Sequence, residues 1–214
     1  MKMDCAVMRH PVPGSCLNLS KFVDSVIINA GDGTHEHPTQ ALLDMMSIYE
    51  KFGKIKGLNI AIVGDILHSR VALSNIYGLI KMGADVTLCG PPHLIPRGIS
   101  DLGVSVNYDI DEVIDWADAI NVLRIQRERM GVGIIPSIRE YRDFFGLSFE
   151  RLAKHKKEIV VMHPGPMNRG VEIDSSVADS DQAIILDQVL NGVAIRMSIL
   201  YLLLGQEKGL ESEK

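Results

Sequence analysis

Short apolar runs without polar alternation recur along the chain, separated by stretches in which apolar residues return every three or four positions. CAVMR (5–9), SVIIN (25–29), NIAIVGD (59–65), DVTLCG (85–90), AINVLRI (119–125) and EIVVMH (158–163) read as strands covered on both faces. Ala41, Leu42, Met45, Met46, Ile48 and Tyr49 recur at helical spacing from Pro38 to Phe52, where Gly53 supplies a stop. A second helix is expected from Ser69 to Met82, followed by Gly83, and shorter ones at DEVIDWA (111–117) and SFERLAKH (148–155). This alternation predicts an α/β fold with a parallel sheet and helices on both faces.

In such sheets ligands sit beyond the carboxyl ends of the strands. The polar chemistry of this chain collects there: Arg9-His10-Pro11, Gly31-Asp32-Gly33, Asp65 to Arg70, Arg124 to Arg129, and His163-Pro164-Gly165-Pro166. Pro38 suits a first helical position because it has no N–H to leave unpaired, which puts His37 at the cap and Gln40 in the first turn. A helix start favours an anion or a polarised carbonyl, and His37 and Gln40 are each placed to donate to a carbonyl oxygen. Helix capping by one histidine and solvation of the other is the plainer alternative. Arg70 and Arg124 are candidate carboxylate clamps, with Gln126 two residues on and on the same side. The two prolines of HPGP fix the backbone and expose carbonyls as acceptors.

Composition narrows the chemistry. The 214 residues are 46% hydrophobic and 23% charged, with a net charge of −5. That balance offers no general attraction to nucleic acid or to an anionic membrane, so an anionic ligand needs a local arginine cluster such as Arg9, Arg70 and Arg124. Cys5, Cys16 and Cys89 show neither CxxC pairing nor metal-ligand spacing, and MKMDCAVMRHP has no secretory core, so a cytoplasmic protein is expected. The run VAIRMSILYLLLG (193–205) reads as too short for a bilayer and carries Arg196. There is no activated nucleophile, dinucleotide fingerprint, Walker loop or other cofactor motif, which leaves catalysis by positioning and charge stabilisation.

VMRHP, NAGDGTHEHPTQALLD, VGDILHSRV, LRIQRER and VMHPGPMNRG, in this order, closely resemble the aspartate carbamoyltransferases. The resemblance covers essentially the whole chain. It implies transfer of a carbamoyl group from carbamoyl phosphate to L-aspartate, giving N-carbamoyl-L-aspartate and phosphate, an early step of pyrimidine synthesis, with no cofactor. By motif, Arg9, His37 and Gln40 take the catalytic and carbamoyl-phosphate roles, with Gly165 and Pro166 in the loop that contacts the same ligand. Arg70 and Arg124 take the L-aspartate carboxylates, with Gln126 a secondary contact. The sister reading, ornithine carbamoyltransferase, usually carries His-Cys-Leu-Pro where this chain has HPGP. A non-catalytic binding or assembly module of the same fold is the alternative from another class.

The resemblance also implies a Rossmann-like aspartate-binding domain over 38–181. Residues 1–37 are expected to be a remnant of the carbamoyl-phosphate domain, and 182–214 to hold a C-terminal helix returning to it, plus a polar tail. The family's Ser-Thr-Arg-Thr-Arg phosphate loop is not in this sequence, nor is the loop whose serine and lysine reach a neighbouring subunit's site. The 214 residues alone are therefore expected to be nearly inactive, with apolar surface exposed on the helix at about 184–204. The family implies a homotrimer, in some members accompanied by regulatory or other pyrimidine-pathway chains.

Overall fold

The computed structural model describes residues 3–125 and 137–205. In chain order the elements are β1 (Cys5–His10), α1 (Ser15–Leu19), β2 (Val26–Asp32), α2 (Pro38–Phe52), β3 (Asn59–Val63), α3 (Arg70–Lys81) and β4 (Asp85–Cys89). There follow β5 (Ser105–Asn107), α4 (Ile110–Trp116), β6 (Ala119–Val122), α5 (Ile138–Phe145), α6 (Phe149–Leu152), β7 (Val160–Met162), α7 (Ser175–Ala178) and α8 (Ile185–Leu204). Strands β1 and β2 pair in parallel as a two-stranded sheet; the other five form a parallel sheet in the order β5-β4-β3-β6-β7.

The apolar strands are buried on both faces because successive side chains enter two different cores. Ile60 and Ile62 of β3 pack with Leu88, Met162, Ala72, Ile76 and Ile48 on the side covered by α2 and α3. Ala61 and Val63 point the other way, among Ile120, Val122, Val161, Ile110, Val113 and Ile114. Burying side chains on both faces explains the missing alternation in the sequence. Chain order reverses at β3, which pairs with β4 on one side and β6 on the other. The crevice outside their carboxyl ends is the switch point of the sheet.

The predicted helix over 38–52 is present with its proposed ends: Pro38 opens it, and Gly53 closes it in the left-handed region at φ 69°, accepting no side-chain strain. β1 and β2 run on past their apolar runs, to His10 and Asp32, whereas β3, β4, β6 and β7 are shorter than theirs. β6 leaves its ladder at Val122, so Leu123, Arg124 and Ile125 lie beyond the paired strand rather than in it.

The helix expected at about 184–204 is α8, and it takes in the apolar run at 193–205. α8 runs 20 residues with a mean hydropathy of 1.3 over its most apolar window, so length and composition alone do not exclude a membrane span. One face of α8 is docked by polar contacts: Gln188 Nε2 donates to Asp44 at 2.7 Å, and Asn191 Nδ2 to Ser47 Oγ at 3.0 Å and Glu50 Oε2 at 2.6 Å. Its other face, with Leu186, Val189, Leu190, Met197 and Tyr201, is exposed as expected.

Candidate active site

One strand end, two helix starts and two loops meet in a cavity of about 300 Å³ lined by Arg9, His37, Gln40, Ser69, Arg70, Val71, Leu123, Arg124, Pro164, Gly165 and Pro166. Arg9 comes from the end of β1, His37 and Gln40 from the start of α2, and Arg70 from the start of α3. Arg124 follows β6, and Pro164 to Pro166 follow β7. Every residue to which the family resemblance gives a substrate role lines this cavity except Gln126, which lies outside the described residues.

The Gly31-Asp32-Gly33 turn makes room for it. At Gly31, φ is 115° and a Cβ would stand 2.6 Å from both Nε and Cζ of Arg70, so only a glycine lets that side chain pass. The arginine is 7% exposed, and its Nη1 donates to the Gly33 carbonyl at 3.5 Å. Ser69 caps α3, its hydroxyl accepting from the Ala72 amide, which fixes the backbone at Arg70. Asp32 is buried and organises the turn, accepting from the amides of Gly14 at 2.7 Å and Glu36 at 3.0 Å and from the Asn29 side chain. Burial pushes its pKa up, but the hydrogen bonds of Asn29, Gly14, His35 and Glu36 outweigh that and hold it below the usual range.

His37 occupies the N-cap position of α2, but its side chain makes no capping bond; its own amide is held by Ser74 Oγ at 2.9 Å. Burial, then the charges of Arg70, Arg196 and Arg9, lower its pKa to about 4, so the ring is neutral near pH 7. The Thr39 hydroxyl lies 3.4 Å from Nδ1. With that hydroxyl donating, the ring proton sits on Nε2, and His37 is a neutral donor.

Gln40 differs from its expected role. Its Nε2 donates to Asp44 Oδ1 at 2.9 Å, so the amide is held by its nitrogen and its oxygen is the end left for a ligand. One of its two N–H groups is committed to the buried acid one helical turn on, and the oxygen is left as an acceptor.

The proline loop is rigid through its neighbours as well as its rings. The Gly165 amide donates to His163 Nδ1 at 2.8 Å, which leaves Nε2 to donate to Glu172 Oε1 at 3.3 Å. The same Glu172 oxygen accepts from the Asn168 amide, and the Asn168 side chain donates to the Ile125 carbonyl at 3.1 Å, tying this loop to the one bearing Arg124.

Two participants were not singled out as site residues in the sequence. Arg196 of α8 bears on His37 electrostatically, and Asp44 holds Gln40. The only signal for Arg196 was a lone cation inside an apolar helix.

The aspartate/ornithine carbamoyltransferase Asp/Orn binding domain matches residues 56–203, and the carbamoyl-P binding domain of the same family matches residues 1–50. This chain belongs to the aspartate/ornithine carbamoyltransferase family. It is 59% identical over 208 residues to the aspartate carbamoyltransferase catalytic subunit of Christiangramia forsetii, covering 97% of this chain and 67% of that one. Aspartate transcarbamoylase from Trypanosoma cruzi, solved with carbamoyl phosphate, superposes at a TM-score of 0.81 with 29% identity, over 92% of this chain and 65% of that one. The same enzyme has been solved with N-(phosphonacetyl)-L-aspartic acid, at a TM-score of 0.80. Ornithine carbamoyltransferase from Pyrococcus furiosus also superposes at 0.80, with 27% identity over 94% of this chain and 67% of that one. The chain thus spans about two thirds of the length of these carbamoyltransferases.

Proposed function

We propose that this chain serves carbamoyl transfer from carbamoyl phosphate to L-aspartate, the step that leads into pyrimidine synthesis, in a cytoplasmic homotrimer. The observation that carries this reading is the convergence of Arg9, Arg70 and Arg124 with His37 and the Pro164–Pro166 loop on one cavity of a protein whose net charge is negative. We divide the chain as the two family matches do, so that α2 goes with the carbamoyl-phosphate part at 1–50 and the L-aspartate part starts at 56, with the segment from 182 returning to the first.

In this reading Arg70 and Arg124 hold the two carboxylates of L-aspartate, and that orients its amine. Arg9 and the neutral His37 aim N–H groups at the carbamoyl oxygen, where negative charge develops. The amine nitrogen attacks the carbonyl carbon, and the electron pair moves onto oxygen. It then returns to expel phosphate, which carries away the amine proton. Two carboxylate clamps and an HPGP loop without cysteine favour aspartate over ornithine, whose side chain is a cation. Gln126 is assigned to the aspartate end by motif alone.

The 214 residues contain no Ser-Thr-Arg-Thr-Arg run, so turnover by this chain alone should be slow. The test is product formation by the purified chain with L-aspartate and with L-ornithine as acceptors. Slow N-carbamoyl-L-aspartate formation that Arg70→Ala abolishes supports the reading. Faster carbamoylation of ornithine, or a rate indifferent to Arg70→Ala, contradicts it.

A further inference from the structure

Asp44 lies one helical turn beyond Gln40, has no exposed surface and does not line the cavity. Four carboxamides from four elements converge on it. Oδ1 accepts from Gln40 Nε2 of α2 at 2.9 Å and Gln188 Nε2 of α8 at 2.7 Å. Oδ2 accepts from Asn75 Nδ2 of α3 at 2.8 Å and Asn121 Nδ2 of β6 at 3.2 Å. Asn75 and Asn121 both turn their amino groups to this acid although their own buried oxygens then have no hydrogen-bond partner. Leaving two acceptors unpaired is costly, so the acid's demand for donors dominates the cluster. Burial raises the carboxyl pKa on balance, with the four amides working against it; four amino groups aimed at its two oxygens nonetheless fit the carboxylate, since a protonated oxygen would set its hydrogen against one of them.

A carboxylate can only accept. It therefore dictates which end of each amide points inward. At Gln40 the nitrogen is taken and the oxygen is left for a ligand. At Gln188 the oxygen accepts from the His163 amide at 2.9 Å, so the same Asp44 oxygen also anchors the backbone that leads into Pro164 and Gly165. An acceptor at Gln40 favours a ligand atom that bears N–H. A carbamoyl group has an amino group there; an acetyl group has the same outline with a methyl, which offers nothing to accept.

We propose that Asp44 is a positioning residue that fixes Gln40 with its oxygen toward the carbamoyl group, and so makes the site select a carbamoyl over an acetyl phosphate. This rests on the carbamoyltransferase reading given above. Replacing Asp44 by asparagine could be absorbed by turning Asn75 and Asn121, whose oxygens are unpaired, whereas replacing it by alanine removes the acceptor that holds the Gln40 nitrogen.

The test is calorimetric titration of the purified chain with carbamoyl phosphate and separately with acetyl phosphate, for wild type, Asp44→Ala and Asn75→Ala. The wild type should prefer carbamoyl phosphate by about tenfold or more, since a buried amide oxygen goes unpaired against a methyl. Asp44→Ala should lower that ratio several-fold, toward one. Asn75→Ala, which removes a donor only from Oδ2, should lower stability and leave the ratio within about twofold. An unchanged ratio in Asp44→Ala overturns the proposal and leaves the carbamoyltransferase reading standing. No carbamoyl phosphate binding by the wild type overturns both. Where Asp44→Ala does not fold, the side-chain amide protons of Gln40 are followed by NMR in ¹⁵N-glutamine-labelled wild type. Protons unmoved at saturating carbamoyl phosphate agree with Asp44 holding the nitrogen end. A large shift of both protons overturns it.

Discussion

The guanidinium of Arg70 crosses the bare backbone of Gly31, with no room between them for a single carbon. This contact joins the end of β2 to the start of α3. The Gly-Asp-Gly sequence is thereby part of the arginine's positioning and more than a tight turn.

Gly31→Ala should therefore act on the site and on stability together. A left-handed φ of 115° and a 2.6 Å collision both oppose it, with a cost of about 1–3 kcal/mol for the backbone alone. Affinity for L-aspartate should fall about tenfold or more as Arg70 is displaced. Denaturant titration and L-aspartate titration of the folded variant check the two effects separately.

The depressed pKa of His37 predicts a sign for the pH dependence of stability. The folded value of about 4 lies below the ordinary 6.5, so on acidification the unfolded chain takes the proton first. The contribution of His37 is complete above pH 6.5 and is lost as pH falls toward 4. The stability difference between wild type and His37→Gln should shift against the wild type over that window and stay constant above it. Urea midpoints at a series of pH values measure this, and an NMR titration of the His37 ring should show a midpoint near 4.

Glu172 is wholly buried and its Oε1 is the acceptor for both His163 Nε2 and the Asn168 amide. Glu172→Ala leaves two buried donors unpaired, a loss of about 2 kcal/mol or more. The Pro164–Pro166 loop should loosen with it. Thermal unfolding and carbamoyl phosphate titration of the variant should both show a decrease, whereas a neutral result would mean the loop is held by its prolines alone.

Leu186 and Leu190 on the outer face of α8 are 83% and 69% exposed. Converting both to glutamine should leave the melting temperature within about 2 °C and reduce light scattering by the concentrated chain, since exposed apolar area favours self-association. A clear drop in melting temperature would show that this face is packed in solution.

The sheet was legible because burial on both faces writes itself as unbroken apolar runs, and α2 was legible to the residue because Pro38 and Gly53 are local signals. Strand ends were less so: Leu123 and Ile125 are apolar because they are buried beyond the ladder, not paired in it. β5 and α5 went unread, since three residues of strand and an exposed amphipathic turn carry little pattern. Arg9, His37, Arg70, Arg124, Gly165 and Pro166 were singled out from motif and position after strands, and they line one cavity. Asp44 was not, because a carboxylate on a helix is ordinarily solvated. Only the distant Asn75, Asn121 and Gln188 show that this one is enclosed.

In the carbamoyl-transfer reading one cavity holds both anionic substrates at once. Calorimetric titration with N-(phosphonacetyl)-L-aspartic acid, which joins a phosphonate to an aspartate, tests this. Saturable one-site binding is expected, weakened about tenfold or more by Arg70→Ala and by Arg124→Ala, each of which removes a charge-assisted carboxylate contact. Absence of binding, or binding that neither substitution affects, would contradict it.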